Sequence, residues 1–453
     1  MRCVIFSPAR LATTLKKRSN GMAAFSILLL VFLMVIGVPV AWSFAAVLGY
    51  LVLVFDVNTT SLLLQGFRSL DHIILLALPL FVLAGYLMKS GGIARRLVDF
   101  IELLVMGRRG GMGASMVIAS GVFGAISGTA TAAVASIGTI MVGPLAQRGY
   151  PRGYSSALLG MSSLLGILIP PSITLILFGV VTRQSITALF AATIGPGLLL
   201  LLGLIFFNRF CAGRWFKEEV GSAGLLPGKL PRSAGRITLS ALPALSMPFI
   251  ILGGIYGGIF TPTEAAGVAV VVAMFIGFFI YRDLSFANLK ESLASSAETT
   301  GTIILILLFS FMIGRILVAE RVPQELTVMI TTLVNNPILI LLLVNGFLIF
   351  AGAIMDDLSV TVVIAPLFMP LMQTIGVDPV HFGAIVACSV VIGANSPPVA
   401  PILYMACRIG KVSIHKSIAP ALFLIAFVGM PVMLITTFLP ALSLTIPRLL
   451  GAM

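Results

Sequence analysis

Residues 144–172 read PLAQRGYPRGYSSALLGMSSLLGILIPPS, and residues 370–399 read PLMQTIGVDPVHFGAIVACSVVIGANSPPV. Both carry Pro-Leu-x-Gln, then a glycine, then Gly-x-x-x-Pro-Pro, in the same order. The offset is 226 residues at Pro144 and Pro370 and 227 at Pro170 and Pro397, so one residue has been inserted between them. Chance supplies one double proline more readily than the whole order twice. Each proline removes a backbone donor and clashes with the preceding helical turn. Helices are therefore expected to stop near Gly166–Ile169 and again near Gly393–Ser396. In lipid the freed carbonyls need a cavity, a partner or a cation. Interruptions at matching places in two halves point to a transporter's binding site. Either double proline taken alone also reads as a simple kink.

The surrounding composition says that the medium is lipid. Of 453 residues, 59% are hydrophobic and only 9% are charged, against roughly 25% charged in a soluble domain. So few charges cannot cover a soluble protein of this size. That excludes a cytosolic globular enzyme, a nucleic-acid-binding module, a disordered chain and a small secreted domain. The expected fold is an all-α polytopic membrane protein. Runs free of Asp, Glu, Lys and Arg, such as 110–147, 184–208, 326–355 and 417–447, are long against the roughly 20 residues of one span. Several hold Gly or Pro near the middle and read as two spans, a hairpin or a broken helix. They predict about 11–13 transmembrane helices plus two re-entrant hairpins.

One polar break, residues 208–236, separates a first membrane half (22–207) from a second (237–453). The first 21 residues are basic and contain no acid, which places the N-terminus in the cytoplasm. An alternative is that translation starts at Met22 and residues 1–21 are an extension. The first half is expected to hold a hairpin at about 112–145 and a broken helix at about 155–181; the second, a hairpin at about 338–372 and a broken helix at about 382–407. In the first hairpin two apolar arms of roughly 13 residues flank Ser127-Gly128-Thr129, too short to span. Its Gly, Ala, Ser and Thr also suit an ordinary close-packing helix face. The second tip carries Asp356-Asp357 between charge-free runs. One ionised Asp at mid-membrane costs about 2.5–3.5 kcal/mol, so the pair needs a cation, a donor or water, unless it marks an interfacial turn.

The net charge of +13 comes from 28 Lys+Arg against 15 Asp+Glu. These basic residues lie between apolar segments, where they set orientation, and imply no nucleic acid. Cys3, Cys211, Cys388 and Cys407 and the scattered His72, His381 and His415 have no ligand spacing, so no metal other than a coupling ion and no cofactor is expected. Glu264 in Thr261-Pro262-Thr263-Glu264 reads as part of a helix cap. Arg95, Arg96, Arg108 and Arg109 flank an amphipathic stretch at 97–106, read as an interfacial arm. No metal triad, Ser–His pair or nucleotide loop suggests an enzyme.

Several motifs resemble one family. They are Leu78–Met88 (LPLFVLAGYLM), Gly110–Gly138, Gly149-Tyr150, Gly166–Ser172 (GILIPPS), Phe190–Leu198 (FAATIGPGL), Gly257–Ala266 (GGIFTPTEAA), Asp378–Gly383 (DPVHFG) and Gly393–Val399. In this order they are similar to the large membrane subunit of tripartite ATP-independent periplasmic (TRAP) transporters, over nearly the whole chain from Met22. The resemblance implies an elevator-type transporter of two inverted repeats in the bacterial inner membrane. It implies sodium-coupled uptake of an organic acid, delivered by a periplasmic solute-binding protein, with a small membrane subunit beside the large one. It also implies a first sodium site at Ser127, Thr129, Gly166, Ile169 and Pro171. A second would comprise Asp356, Gly393, Ser396 and Pro398, with the substrate near Gly128 and Asn395. Hydroxyls, carbonyls and a carboxylate suit a hard cation.

Two departures stand out. The family often has Ser-Gly-Ser at the first tip and Thr-Pro-Pro-Val-Gly at the second break; here Thr129 keeps the hydroxyl, and Ala400 adds a methyl at a helix start. Asp357 falls where the family varies. The alternatives are a stand-alone sodium/anion symporter of related architecture, a channel and an assembly scaffold. The solute could be a dicarboxylate, keto acid, sugar acid or sialic acid.

Overall fold

A computed structural model describes Met22 and residues 25–105, 109–214, 216, 234–397 and 399–453. The basic segment 1–21, most of the 208–236 linker, Arg108 and Pro398 lie outside the described residues. All regular structure among the described residues is helical. Among the described residues nine helices are long and apolar enough to cross a membrane, or ten if the bent pair Arg152–Leu168 and Ile173–Thr182 forms one span. Four shorter apolar helices accompany them: Phe25–Val35, Val40–Phe55, Gly111–Ser127 and Pro379–Gly393. Charge-free runs do not separate full spans from such short ones, which is why the sequence suggests a higher number.

Each half contains a helical pair followed by an interrupted helix. In the first half the pair is Gly111–Ser127 and Ala130–Gln147, and the interrupted helix is Arg152–Leu168 with Ile173–Thr182. In the second half they are Pro337–Ile354 with Asp357–Thr374, and Pro379–Gly393 with Pro401–Gly410. The first pair has arms of 17 and 18 residues, longer than the 13 expected, because Gly111 and Pro144 sit inside the helices rather than ending them. Gly111–Ser127 is almost wholly buried, as its small side chains allow.

The two interrupted helices pack on each other. Arg152–Ser163 lies against Pro401–Gly410 and Ile414–Leu424. The approach is close: a Cβ on Gly153 would come within 2.3 Å of the Lys416 carbonyl. A 34-residue helix, Phe286–Ala319, packs against Val40–Phe55, Thr59–Leu70 and Ala77–Ser90.

The amphipathic helix Ile93–Val105 buries Ile93, Ala94, Leu97, Val98 and Ile101 at spacings of one helical face. That face packs on Gly111–Ser127 and Ala234–Tyr256. Arg96 meets Asp283 at 2.6 Å and lies 3.8 Å over the Tyr281 ring, so it serves this arm structurally. Glu264 completes a capping box: its backbone N–H donates to Thr261 Oγ1 (3.3 Å), and its carboxylate accepts from the Thr261 N–H (2.8 Å).

Candidate functional site

The first tip turns at Gly128, whose φ of +66° lies in the left-handed region that glycine enters without penalty. Thr129 then caps the next helix, its hydroxyl accepting from the Ala132 N–H at 3.3 Å. The tip presses into the first break. Helix Leu165–Leu168 ends as Ile169 turns extended, and Ser172 caps the restart at Ile173. The Ile173 N–H donates to the Gly128 carbonyl at 3.1 Å. A Cβ on Gly124 would lie 2.4 Å from the Gly166 Cα, and one on Gly166 would lie 2.9 Å from the Thr129 carbonyl oxygen. A Cβ on Gly128 would lie 3.0 Å from the Pro171 carbonyl oxygen. Ser127, Gly128, Thr129, Gly166 and Pro171 thus form one cluster. The Ile169 side chain instead points toward Gly121 and Gly197.

The second unit repeats this backbone plan. A Cβ on Gly352 would lie 3.3 Å from the Gly393 Cα, and one on Gly393 would lie 2.6 Å from the Ile349 carbonyl oxygen. The Ala400 N–H donates to the Ala353 carbonyl at 3.4 Å, as Ile173 does to Gly128. The tip chemistry differs. Asp356 caps the outgoing helix, accepting from the Ser359 N–H at 3.3 Å and from the Ser359 hydroxyl. Ser396 donates to the Ile392 carbonyl at 2.8 Å. Those bonds are local.

Asp357 reaches across the halves. Its Oδ2 accepts from Thr174 Oγ1 at 2.6 Å, and Thr174 stands in the restarted part of the first broken helix. The sequence asks for a cation, a donor or water beside the Asp356-Asp357 pair but does not point to Thr174. The glycine pairs have a sequence signal of their own, since Gly124-Ala125-Ile126 and Gly352-Ala353-Ile354 repeat identically before each tip.

Ser127, Thr129, Asp356 and Asp357 line one cavity of about 770 Å³. Its wall also includes Tyr86 and Lys89, and Glu298, Thr299 and Thr302 of the 34-residue helix. Gly128 and Asn395 are not among its lining residues. Asn395 is fully buried against the first broken helix, where a Cβ on Gly160 would lie 2.5 Å from its Oδ1. Among the described residues, neither amide atom of Asn395 has a hydrogen-bond partner, and neither does the buried Ser127 Oγ. Orphaned buried polar atoms cost free energy unless something completes them.

Residues 27–442 match the family described as "Tripartite ATP-independent periplasmic transporter, DctM component". The chain belongs to this family. Its members are transporter permeases rather than enzymes, working with a small membrane subunit and a periplasmic binding protein, and this TRAP large permease is a multi-pass protein of the bacterial inner membrane. It is 36% identical over 398 residues to the C4-dicarboxylate TRAP transporter large permease protein DctM of Pseudomonas aeruginosa, covering 87% of this chain and 91% of that one. It is 33% identical over 415 residues to the sialic acid TRAP transporter large permease protein SiaM of Vibrio cholerae, covering 91% and 95%. The isethionate TRAP transporter permease protein DctMQ of Oleidesulfovibrio alaskensis is 33% identical over 412 residues, 91% of this chain and 64% of that one. Among solved structures, the YdaH transporter of Alcanivorax borkumensis shares the fold, with a TM-score of 0.62 over 84% of this chain and 88% of that one at 13% identity.

Proposed function

We propose that this TRAP large permease imports a small organic acid, driven by a sodium gradient. The observation that carries this reading is the convergence of both tips on one cavity, a neutral one with Ser127 and Thr129 and an acidic one with Asp356 and Asp357. The donor set is all oxygen, and Ser127 Oγ is buried without a partner; both features fit a hard monovalent cation. Ser127, Thr129, the carbonyls of Gly166 and Ile169 and the region of Pro171 would hold one sodium ion. Asp356, with Gly393, Ser396 and Pro398, would hold another.

Bound sodium offsets the carboxylates of the second tip and supplies the positive charge that an anionic solute needs. Gly128 and Asn395 would then face the solute's carboxylate as the units rearrange. Asn395 can donate through its amide once it leaves Gly160. The solute class is a dicarboxylate, keto acid, sugar acid or sialic acid. The names of the relatives, C4-dicarboxylate, isethionate and sialic acid permeases, agree on a small anion. A periplasmic solute-binding protein would deliver it, and the small membrane subunit would pack beside this chain. The hairpins and broken helices would move as an elevator-type unit of two inverted repeats. The test is uptake by proteoliposomes under an inward sodium gradient, with and without the binding protein. The triple variant S127A/D356N/S396A is expected to lower sodium-dependent uptake at least ~100-fold, since each group loses charge-assisted contacts. Undiminished uptake by that variant would refute the sodium assignment; uptake without any binding protein would favour the stand-alone symporter.

A further inference from the structure

A second cavity, of about 660 Å³, lies away from the two tips and is lined by Arg152, Tyr154, Phe216, Lys411, Ser413 and Lys416, among others. Three of these side chains are cationic, and among the described residues no acidic side chain lines the cavity. Arg152, Lys411 and Lys416 are exposed, and none of them forms an ion pair with a described acid. Three like charges around one hollow repel one another, and that cost falls when an anion sits between them. One candidate span, Ile414–Phe438, and the bent pair Arg152–Leu168 with Ile173–Thr182 start at this cavity. The cavity therefore sits at the end of the spans, where the bilayer meets water. Their N-termini bring partial positive charge to the same place.

The charge suits an anion such as a phosphate group. A lipid headgroup and a free phosphate ion share it, but the surroundings favour the lipid. Tyr154 and Phe216, with rings 5.1 Å apart, make an aromatic wall. Pro420 also lines the cavity, and the helix that carries it continues with Phe423 and Phe427, stacked at 6.2 Å and exposed by 43% and 63%. Phe207 stacks on Phe427 at 5.9 Å. A ladder of rings thus descends from the basic hollow along a surface open to acyl chains. We infer that this hollow binds the phosphate headgroup of an anionic phospholipid, with an acyl chain along Phe423 and Phe427. Basic pockets between membrane helices take such headgroups elsewhere on the same grounds.

Native mass spectrometry of the full chain purified in detergent tests this. Cardiolipin, phosphatidylglycerol, phosphatidylcholine and inorganic phosphate are titrated separately. The anionic lipids are expected to bind at least tenfold more tightly than phosphatidylcholine. R152Q/K411Q/K416Q should abolish that preference, while R152K/K411R/K416R should retain it. The control R68Q/R282Q/K290Q, which removes three cations outside the cavity, should retain it too. Equal loss in the control would reduce the effect to bulk charge and overturn the site. Inorganic phosphate binding that depends on Arg152, Lys411 and Lys416 without any lipid preference would overturn the lipid assignment. Wild-type protein that does not discriminate among the lipids would overturn both.

Discussion

The two hairpin-and-break units share a backbone plan and differ in what they place on it. In both, Gly-Ala-Ile precedes the tip, a glycine of the hairpin faces a glycine of the broken helix, and an N–H beyond the prolines donates back to the hairpin end. The first unit is uncharged, with a glycine in the left-handed turn, a threonine cap and its closest approach at the hairpin glycine, Gly124. The second is acidic, its closest approach falling at the broken-helix glycine, Gly393, with an aspartate cap and an alanine, Ala400, forced to φ 47° and ψ 61° where its helix restarts. Close backbone approach is thus common to both units, while charge belongs to one. A repeat can keep its geometry while its two sites take unlike chemistry.

The largest effect that sharpens this contrast is steric. Gly124→Ala puts a methyl 2.4 Å from the Gly166 backbone, an overpacking that costs about 1–3 kcal/mol. Gly352→Ala meets its nearest atom at 3.2 Å, and the roughly 1 kcal/mol that alanine gains over glycine in a helix should leave it near neutral. Thermal unfolding of both variants checks this, with uptake expected to fall at least tenfold only for Gly124→Ala. Equal losses would break the distinction between the crowded Gly124 and the roomier Gly352.

The next effect concerns the hydrogen bond that ties the second tip to the first broken helix. Thr174→Val and Asp357→Asn are each expected to raise the sodium concentration for half-maximal uptake several-fold. The double variant should be no worse than the poorer single one. A bond to a charged group implies a coupling of about 1.5–3 kcal/mol in the double-mutant cycle. Additive effects would show that the 2.6 Å contact does not link tip and break functionally. The smallest effect is at Ala400. Left-handed backbone costs a non-glycine residue about 1–2 kcal/mol, partly offset by glycine's greater freedom when unfolded. Ala400→Gly should therefore stabilise the protein by under ~1 kcal/mol, read as a small rise in the thermal midpoint; a fall would mean that its methyl contributes more through packing than it costs in strain.

The fold class was legible because composition alone reports the solvent, and the family was legible because its motifs survive in order. Breaks at Ile169–Ser172 and Ala394–Ala400 lie where the double prolines stand, since a missing donor acts on its own turn. The Thr174–Asp357 bond joins residues 183 positions apart, and no local pattern encodes which turn of one half faces which tip of the other. The family resemblance implies a substrate contact at Asn395; its burial against Gly160 depends on helix packing that spacing does not specify. The glycine pairs are a different case: the repeated Gly-Ala-Ile was open to inspection, but small residues in membrane helices are too common to attract notice singly.

The helix Phe286–Ala319 carries one further consequence. At 1.5 Å per residue its 34 residues extend about 51 Å, far beyond a hydrocarbon core of about 30 Å. It must lean or stand proud of the membrane, and Glu298, Thr299 and Thr302 ride on it. Bilayer thickness therefore adjusts how deep that polar rim sits, so the same polypeptide would present a shallower or a deeper vestibule according to the acyl length of the lipids around it.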